Sequence, residues 1–304
     1  MDLTVRPLRV DVSVRPLAAD HVDAAREVQT RAFEQHDRAF GDPVPEVTAA
    51  TVERQRGRFR HFLTHDPAGS WVAVSDGAVV GAALALRRDG LWGLSLLAVD
   101  PDAQSRGIGR ALLEASLTYA DGADTAVILS SRDPRAIRRY AAAGFALHPQ
   151  VRAEGPLDRA LLPPPDPRVR EGGSGEAGRV DGEWADAVDR QVRGAARGPD
   201  HQLLSGMAQM YVVDDASGRG YAYLRNDGRI VTVAATDDDI ATALLWRCLA
   251  DCPGDERTID HVNGEQQWAI RVAVQARLSL QPSGPVFWRG RTPPPSYLPD
   301  GAYL

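Results

Sequence analysis

The sequence contains no lysine. All 35 basic residues among its 304 are arginine, and 41 acidic residues outnumber them, for a net charge of −6. At that balance no extended basic surface can be assembled, which excludes a protein that works by gripping nucleic acid. The missing lysine reads as coding bias. Cysteine is nearly absent too. Cys248 and Cys252 stand C-x3-C in a segment of helical pattern with no second pair. They build no disulfide framework and complete no zinc site, so they read as two half-buried thiols, and no metal is expected.

Long hydrophobic runs are lacking as well. The longest, Leu91 to Val99, has Gly93 and Ser95 inside it and falls far short of the roughly 20 residues a membrane helix needs. The opening Met-Asp-Leu-Thr-Val-Arg has no basic segment, apolar stretch and cleavage site in succession, so the expectation is a cytoplasmic protein without membrane contact. The remaining composition, 43% hydrophobic and 25% charged residues with 28 Gly and 21 Pro, is the balance of an ordinary globular chain. The length fits two domains of about 150 residues.

A Pro-rich stretch, Leu162 to Pro167, and a Gly-rich one, Glu171 to Glu176, have linker composition and place a domain boundary near 160, giving domains 1–160 and 161–304. Charge is unevenly shared across it: 20 Arg against 21 acids before, 15 against 20 after. An anion site therefore belongs in the first half. There, Arg9 to Pro16 alternates as a strand and Ala18 to Phe33 as an amphipathic helix. Trp71 to Ser75 and Val79 to Leu86 are strands joined at Ser75-Asp76-Gly77, and Asp89-Gly90 turns into Leu91 to Val99. Ile108, Ala111, Leu112, Ala115 and Tyr119 mark one face of a helix over 108–119. Thr125 to Leu129 is a short buried strand. Asp133-Pro134 opens a further helix with an acidic N-cap and proline at the first position, and Gly144 closes it.

The halves repeat one another. Gly220 to Ala235 parallels Gly81 to Val99 as two strands joined at an Asp-Gly turn, and Ala269-Ile270-Arg271 matches Ala136-Ile137-Arg138. This register brings Ala273 opposite Tyr140, Arg277 opposite Gly144 and Leu278 opposite Phe145.

The segment that carries chemistry is Val99 to Ala111. A buried strand ends, a loop with Gly107 and Gly109 comes next, and a helix starts inside it, so successive N–H groups converge with no side chain in their way. In this context it reads as a cradle for a diphosphate, although two glycines by themselves read as a tight turn. It is no P-loop, since Gly-x-x-x-x-Gly-Lys-Ser/Thr is absent, and the third glycine of a dinucleotide fingerprint is missing.

The Q-x-x-G-x-G pattern, as Gln104-Ser105-Arg106-Gly107-Ile108-Gly109, resembles the acetyl-CoA loop of the GNAT acyltransferase superfamily. The strand ending Leu97-Ala98-Val99-Asp100-Pro101 and the helix Ala136 to Phe145, similar to that family's A-x-x-x-Y-x-x-x-G-F, extend the resemblance over about residues 80 to 148. It implies an α/β fold of two tandem GNAT-like domains, each a twisted, mixed, mainly antiparallel sheet flanked by helices. It implies an N-acetyltransferase with acetyl-CoA as donor. The amides of Ser105 to Arg110 would hold the diphosphate, and Leu97, Ala98 and Val99 would offer backbone groups to the pantetheine arm. Asp133 stands where the family often has a cofactor-contacting Asn, a departure that puts that contact in doubt. An amide near Val99 would face the thioester oxygen, and Tyr140 would protonate the leaving thiolate. Periodicity alone makes Tyr140 an aromatic on a buried helix face; its catalytic role comes from the resemblance.

The general base is not identified, because the strand from Leu94 to Val99 carries no acid. Glu34, His36 and Asp37 border the acceptor region in this family, though they also read as a solvated helix end. His61 and His65, at i and i+4, would suit a metal if a third ligand were present. Arg54, Arg56, Arg58 and Arg60 read as a patch steering an anion or as a solvated face. In the second half, Thr236-Asp237-Asp238-Asp239 replaces the glycine loop, and carboxylates there satisfy the helix terminus and repel a diphosphate. The second copy is therefore expected to be degenerate, completing an acceptor pocket. Some tandem relatives present a terminal carboxylate to the acceptor, which makes the Leu304 carboxylate a candidate base. A small-molecule amine is the favoured partner. The competing reading is a non-catalytic acyl-CoA-binding regulatory or scaffold protein; oligomeric state and acyl preference are not legible.

Overall fold

The computed structural model describes residues 12–172 and 182–304. Arg9 to Asp11 of the first expected strand and Gly173 to Glu176 of the Gly-rich stretch lie outside them. The chain is a mixed α/β protein whose sheets are flanked by helices, and it divides into two compact units: 1–87 with 92–123, and 88–91 with 124–304.

The first unit holds β1 (Val12–Pro16), α1 (Val22–Phe40), α2 (Ala49–His65), β2 (Ser70–Ser75), β3 (Ala78–Arg88), β4 (Leu91–Val99) and α3 (Ile108–Leu117). Its strands lie in the order β1-β2-β3-β4, with β1–β2 and β2–β3 antiparallel. Asp76 and Gly77, both at positive φ (49° and 79°), make the tight β2–β3 turn expected from Ser75-Asp76-Gly77. The expected first helix begins later and runs farther, Val22 to Phe40, ending at Gly41 with φ 72°. Ile108 and Leu112 of α3 bury with Ala73, Ala83 and Ala103, and Leu97 and Val99 pack beside them. This small cluster seats the first turn of α3 on the sheet.

The second unit contains β5 (Thr125–Leu129), α4 (Pro134–Ala142), β6 (Ala146–Pro156), β7 (Arg170–Gly172), α5 (Gly182–Arg193), α6 (Pro199–Ser205), β8 (Ala208–Asp215), β9 (Gly218–Arg225), β10 (Ile230–Ala235), α7 (Asp238–Asp251), β11 (Glu256–Asn263), α8 (Gln267–Gln275), β12 (Ser279–Arg289) and β13 (Tyr297–Leu298). One strand group has the order β5-β12-β6-β11, the other β13-β10-β9-β8-β7. β12 lies antiparallel between β5 and β6, and β11 lies antiparallel to β6 on its other side. This interleaving ties β5, α4 and β6 to the C-terminal half. Helices α7 and α8 bury Leu244, Leu245, Cys248, Trp268 and Val272 in one core with Ala153 of β6. Cys248 and Cys252 are free and buried. Among the described residues, no helix is long and apolar enough to cross a membrane.

The order of elements runs through the chain twice: a strand, two helices, three strands, a helix, a strand, a helix and a strand, turning over between β6 and β7. Local geometry repeats with it. A Cβ on Gly81 would come 3.2 Å from Ile108 Cγ2 and 3.3 Å from the Ala98 carbonyl oxygen; one on Gly220 would come 2.8 Å from Ile240 Cγ2 and 3.0 Å from the Ala234 carbonyl oxygen. Gly144 and Arg277 both turn left-handed (φ 86° and 56°), and the next N–H closes back on the same relative carbonyl: Phe145 N to Tyr140 O at 3.3 Å, Leu278 N to Ala273 O at 2.9 Å. This is the register that the sequence repeat implies.

Candidate functional site

The strand β4 ends at Val99, and the loop between it and α3 is held by side chains that leave the amides of Ser105 to Gly107 alone. Buried Asp100 donates its N–H to the Val80 oxygen at 2.9 Å, accepts the Asp102 N–H at 3.0 Å and pairs with Arg31 of α1. Gln104 Nε2 donates to the Val99 oxygen at 3.2 Å and to Gln35 Oε1 at 3.0 Å, and Arg106 donates to the Asp102 oxygen at 2.9 Å. Arg31 and Gln35 are loop anchors that sequence reasoning missed; their i, i+4 spacing, which puts them on one face of α1, was the available signal.

Between these anchors the backbone alternates in hand. Ser105 has φ 63° and Gly107 φ 91°, with Arg106 between them. Successive residues of opposite hand turn their N–H groups toward one point. For Ser105, a residue with a side chain, that conformation costs about 1–2 kcal/mol. The helix contributes nothing to satisfy these donors, because its first backbone bonds run from Arg110 and Ala111 to the Gly107 oxygen at 3.0 and 3.1 Å. The N–H groups of Ser105, Arg106, Gly107, Ile108 and Gly109 take no acceptor among the described residues. Five adjacent free donors at the positive end of a helix dipole are an arrangement chemically suited to an anion. The side chain of Arg110 extends instead along the helix to Glu114 at 2.7 Å.

Leu97 and Val99 are part-exposed and Ala98 is buried at the end of β4, directly before this loop. The basic patch on α2 is spent on partners: Arg56 meets Asp23 at 2.6 Å, Arg60 meets Glu53 at 2.8 Å, and Arg58 reaches Ser95 Oγ of β4 at 2.6 Å. His61 is buried with its ring 4.6 Å from that of His65. Glu34 pairs with Arg38, and His36 with Asp37.

Asp133, Tyr140 and Leu304 belong to the second unit. Asp133 caps α4, accepting the Arg135 N–H at 2.8 Å and the Arg135 guanidinium on both oxygens. Burial raises its pKa, but the bonds from Arg135 outweigh that and hold the carboxyl below its usual range. Tyr140 is 5% exposed and lies edge-on to Phe287. Burial pushes its phenol up to about 12, and its hydroxyl makes no hydrogen bond among the described residues. Leu304 is buried, with its main-chain oxygen accepting from Arg193 at 2.9 Å. In the second copy, Asp237 accepts the Ile240 N–H at 2.9 Å at the start of α7, where the first copy leaves its amides free.

Residues 29–145 match the acetyltransferase (GNAT) family, and this segment is a GNAT-type domain. The match takes in the free-amide loop and α4. No curated protein matches the sequence. The fold of the whole chain is similar to that of a protein from Pyrococcus horikoshii taken to be an acetyltransferase: 16% identity, TM-score 0.72, 99% of each chain covered. A GCN5-related N-acetyltransferase from Sphaerobacter thermophilus is similar over 93% of this chain and 96% of that one, at 16% identity and TM-score 0.55. A GCN5-related N-acetyltransferase from Kribbella flavida covers 92% and 71%, at 15% identity and TM-score 0.54. The layout of two sheets flanked by helices is therefore that of GNAT-like folds.

Proposed function

We propose that the chain is an N-acetyltransferase that moves the acetyl group of acetyl-CoA to a primary amine of a small molecule, using its first copy, residues 1–160. The observation that supports this reading most is the row of free N–H groups from Ser105 to Gly109 inside a segment of GNAT sequence. They suit the donor's diphosphate, and the backbone of Leu97, Ala98 and Val99 suits its pantetheine arm. The neutral amine nitrogen attacks the thioester carbonyl carbon, a C–N bond forms, the C–S bond breaks to release a thiolate, and the proton lost from nitrogen passes to solvent, from which the Tyr140 phenol is later restored. A backbone donor aimed at the oxyanion is worth about 3–4 kcal/mol. Tyr140 delivers its proton to the departing sulfur. With its phenol pushed up to about 12 by burial, Tyr140 holds its proton at neutral pH and is in the form a general acid needs.

A second reading, a non-catalytic acyl-CoA-binding protein, draws on Asp133, whose oxygens are engaged by Arg135 of its own helix and not free for the donor. Thiol release from acetyl-CoA, measured against an amine library beside Tyr140→Phe, separates the two. The transferase reading expects turnover with some amine and a loss of at least tenfold in the variant. Binding without release for every amine supports the second.

A further inference from the structure

We propose that the second copy is a peptide-binding module: the edge of β10 and the first turn of α7 take an extended segment by strand addition, and Ser296–Leu298 of the same chain fill that groove. The equivalence of this groove to the donor groove of the first copy rests on the tandem reading. Gly81 and Gly220 match Ile108 with Ile240 and Ala98 with Ala234, so Val233-Ala234-Ala235 stand where Leu97-Ala98-Val99 stand.

Along that edge β13 lies antiparallel to β10, with Val233 opposite Leu298 and Ala234 opposite Tyr297, and the Ala235 N–H donates to the Ser296 oxygen at 3.1 Å. Main-chain pairing of this kind gives affinity, while side-chain sites give selectivity. Two such sites are built, for Ser296 and Tyr297, beside one further bond to the segment's main chain. Thr232 Oγ1 donates to the Leu298 oxygen at 2.7 Å, and Ser296 Oγ reaches Asp238 Oδ1 at 2.8 Å on the first turn of α7. The wholly buried guanidinium of Arg197 donates to the Tyr297 hydroxyl at 2.6 Å and to the Tyr303 oxygen at 3.2 Å. The segment that fits is thus an extended Ser-Tyr-Leu, its serine at the helix start and its tyrosine hydroxyl on the arginine. Asp237 and Asp238 make the same helix start hostile to a diphosphate, so strand addition of peptide replaces donor binding and the chain holds one donor.

The test uses the full chain with a specific protease site inserted after exposed Thr292, cut once the protein has folded. In a chain carrying Tyr297→Ala, the cut tail is removed by gel filtration and a fluorescein-labelled Pro293–Leu304 peptide of native sequence is titrated in. The expected result is saturable 1:1 binding, at least tenfold weaker for the peptide carrying Tyr297→Ala, absent for the intact native chain, and unaffected by saturating acetyl-CoA. No binding by an emptied chain that still melts cooperatively would overturn the proposal. So would displacement of the peptide by acetyl-CoA, two donors per native chain in calorimetry, or a fold lost on emptying that the native peptide does not restore. If calorimetry finds no acetyl-CoA binding at all, the transferase reading falls while the peptide titration still decides this one.

Discussion

The ring of Tyr140 meets that of Phe287 edge-on, centroids 5.5 Å apart and planes at 71°. Tyr140 lies on α4, of the first run of elements, and Phe287 on β12, of the second. Replacing the phenol by Tyr140→Phe keeps this contact and removes only the hydroxyl. Turnover is expected to fall at least tenfold with the melting temperature nearly unchanged, read by thiol release beside a thermal melt.

The same phenol sets a pH dependence of stability. Its pKa is raised to about 12 in the folded state, against about 10 when unfolded. Below pH 10 both states hold the proton and nothing is lost. Between 10 and 12 the unfolded state ionises first, so the folded state loses up to about 2–3 kcal/mol. Urea unfolding from pH 9 to 11 should show about half of this decline for the native chain and a smaller one for Tyr140→Phe.

Local structure was legible where a backbone rule acts within a few residues. The acidic cap and proline at Asp133-Pro134, the left-handed Gly144 and the start of α3 at Ile108 stand where those rules put them. The repeat register was legible as well, since Arg277 takes up the left-handed turn that Gly144 makes easy. The insertion of β12 between β5 and β6 was not, because strand alternation names no partner. Nor did composition show that Arg56, Arg58 and Arg60 reach Asp23, Ser95 and Glu53. In the loop, glycine spacing pointed to Gly107, but nothing in the sequence marked Ser105 as left-handed.

Paired substitutions at Gly81 and Gly220 test the repeat. A Cβ at Gly81 would lie 2.8 Å from Leu112 Cδ1, and one at Gly220 would lie 2.8 Å from Ile240 Cγ2 and 2.9 Å from Ala235 Cβ. Each Gly→Ala change should cost about 1–3 kcal/mol by overpacking. Only Gly81→Ala, which pushes against α3, should also weaken acetyl-CoA binding in calorimetry. Equal loss of binding from Gly220→Ala would contradict a single donor site in the first copy.

Arg197 is buried 3.6 Å from buried Asp189 and donates to the hydroxyls of Tyr221 and Tyr297. Arg197→Met takes a guanidinium away from the buried Asp189 carboxylate, which keeps the Tyr221 hydroxyl at 2.6 Å and His201 at 2.9 Å, and should cost about 3–5 kcal/mol. Adding Asp189→Leu, which removes the buried charge but also the partner of Tyr221 and His201, should leave the double variant no more than partly recovered. Denaturant melts of the single and double variants give the comparison.

The most direct measurement is a crystal structure with coenzyme A bound, read at the nitrogens of Ser105, Arg106, Gly107, Ile108 and Gly109. Diphosphate oxygens are expected within hydrogen-bond distance of at least three of them. Coenzyme A bound with its diphosphate elsewhere, or no binding while the protein remains folded, would contradict a donor site at this loop.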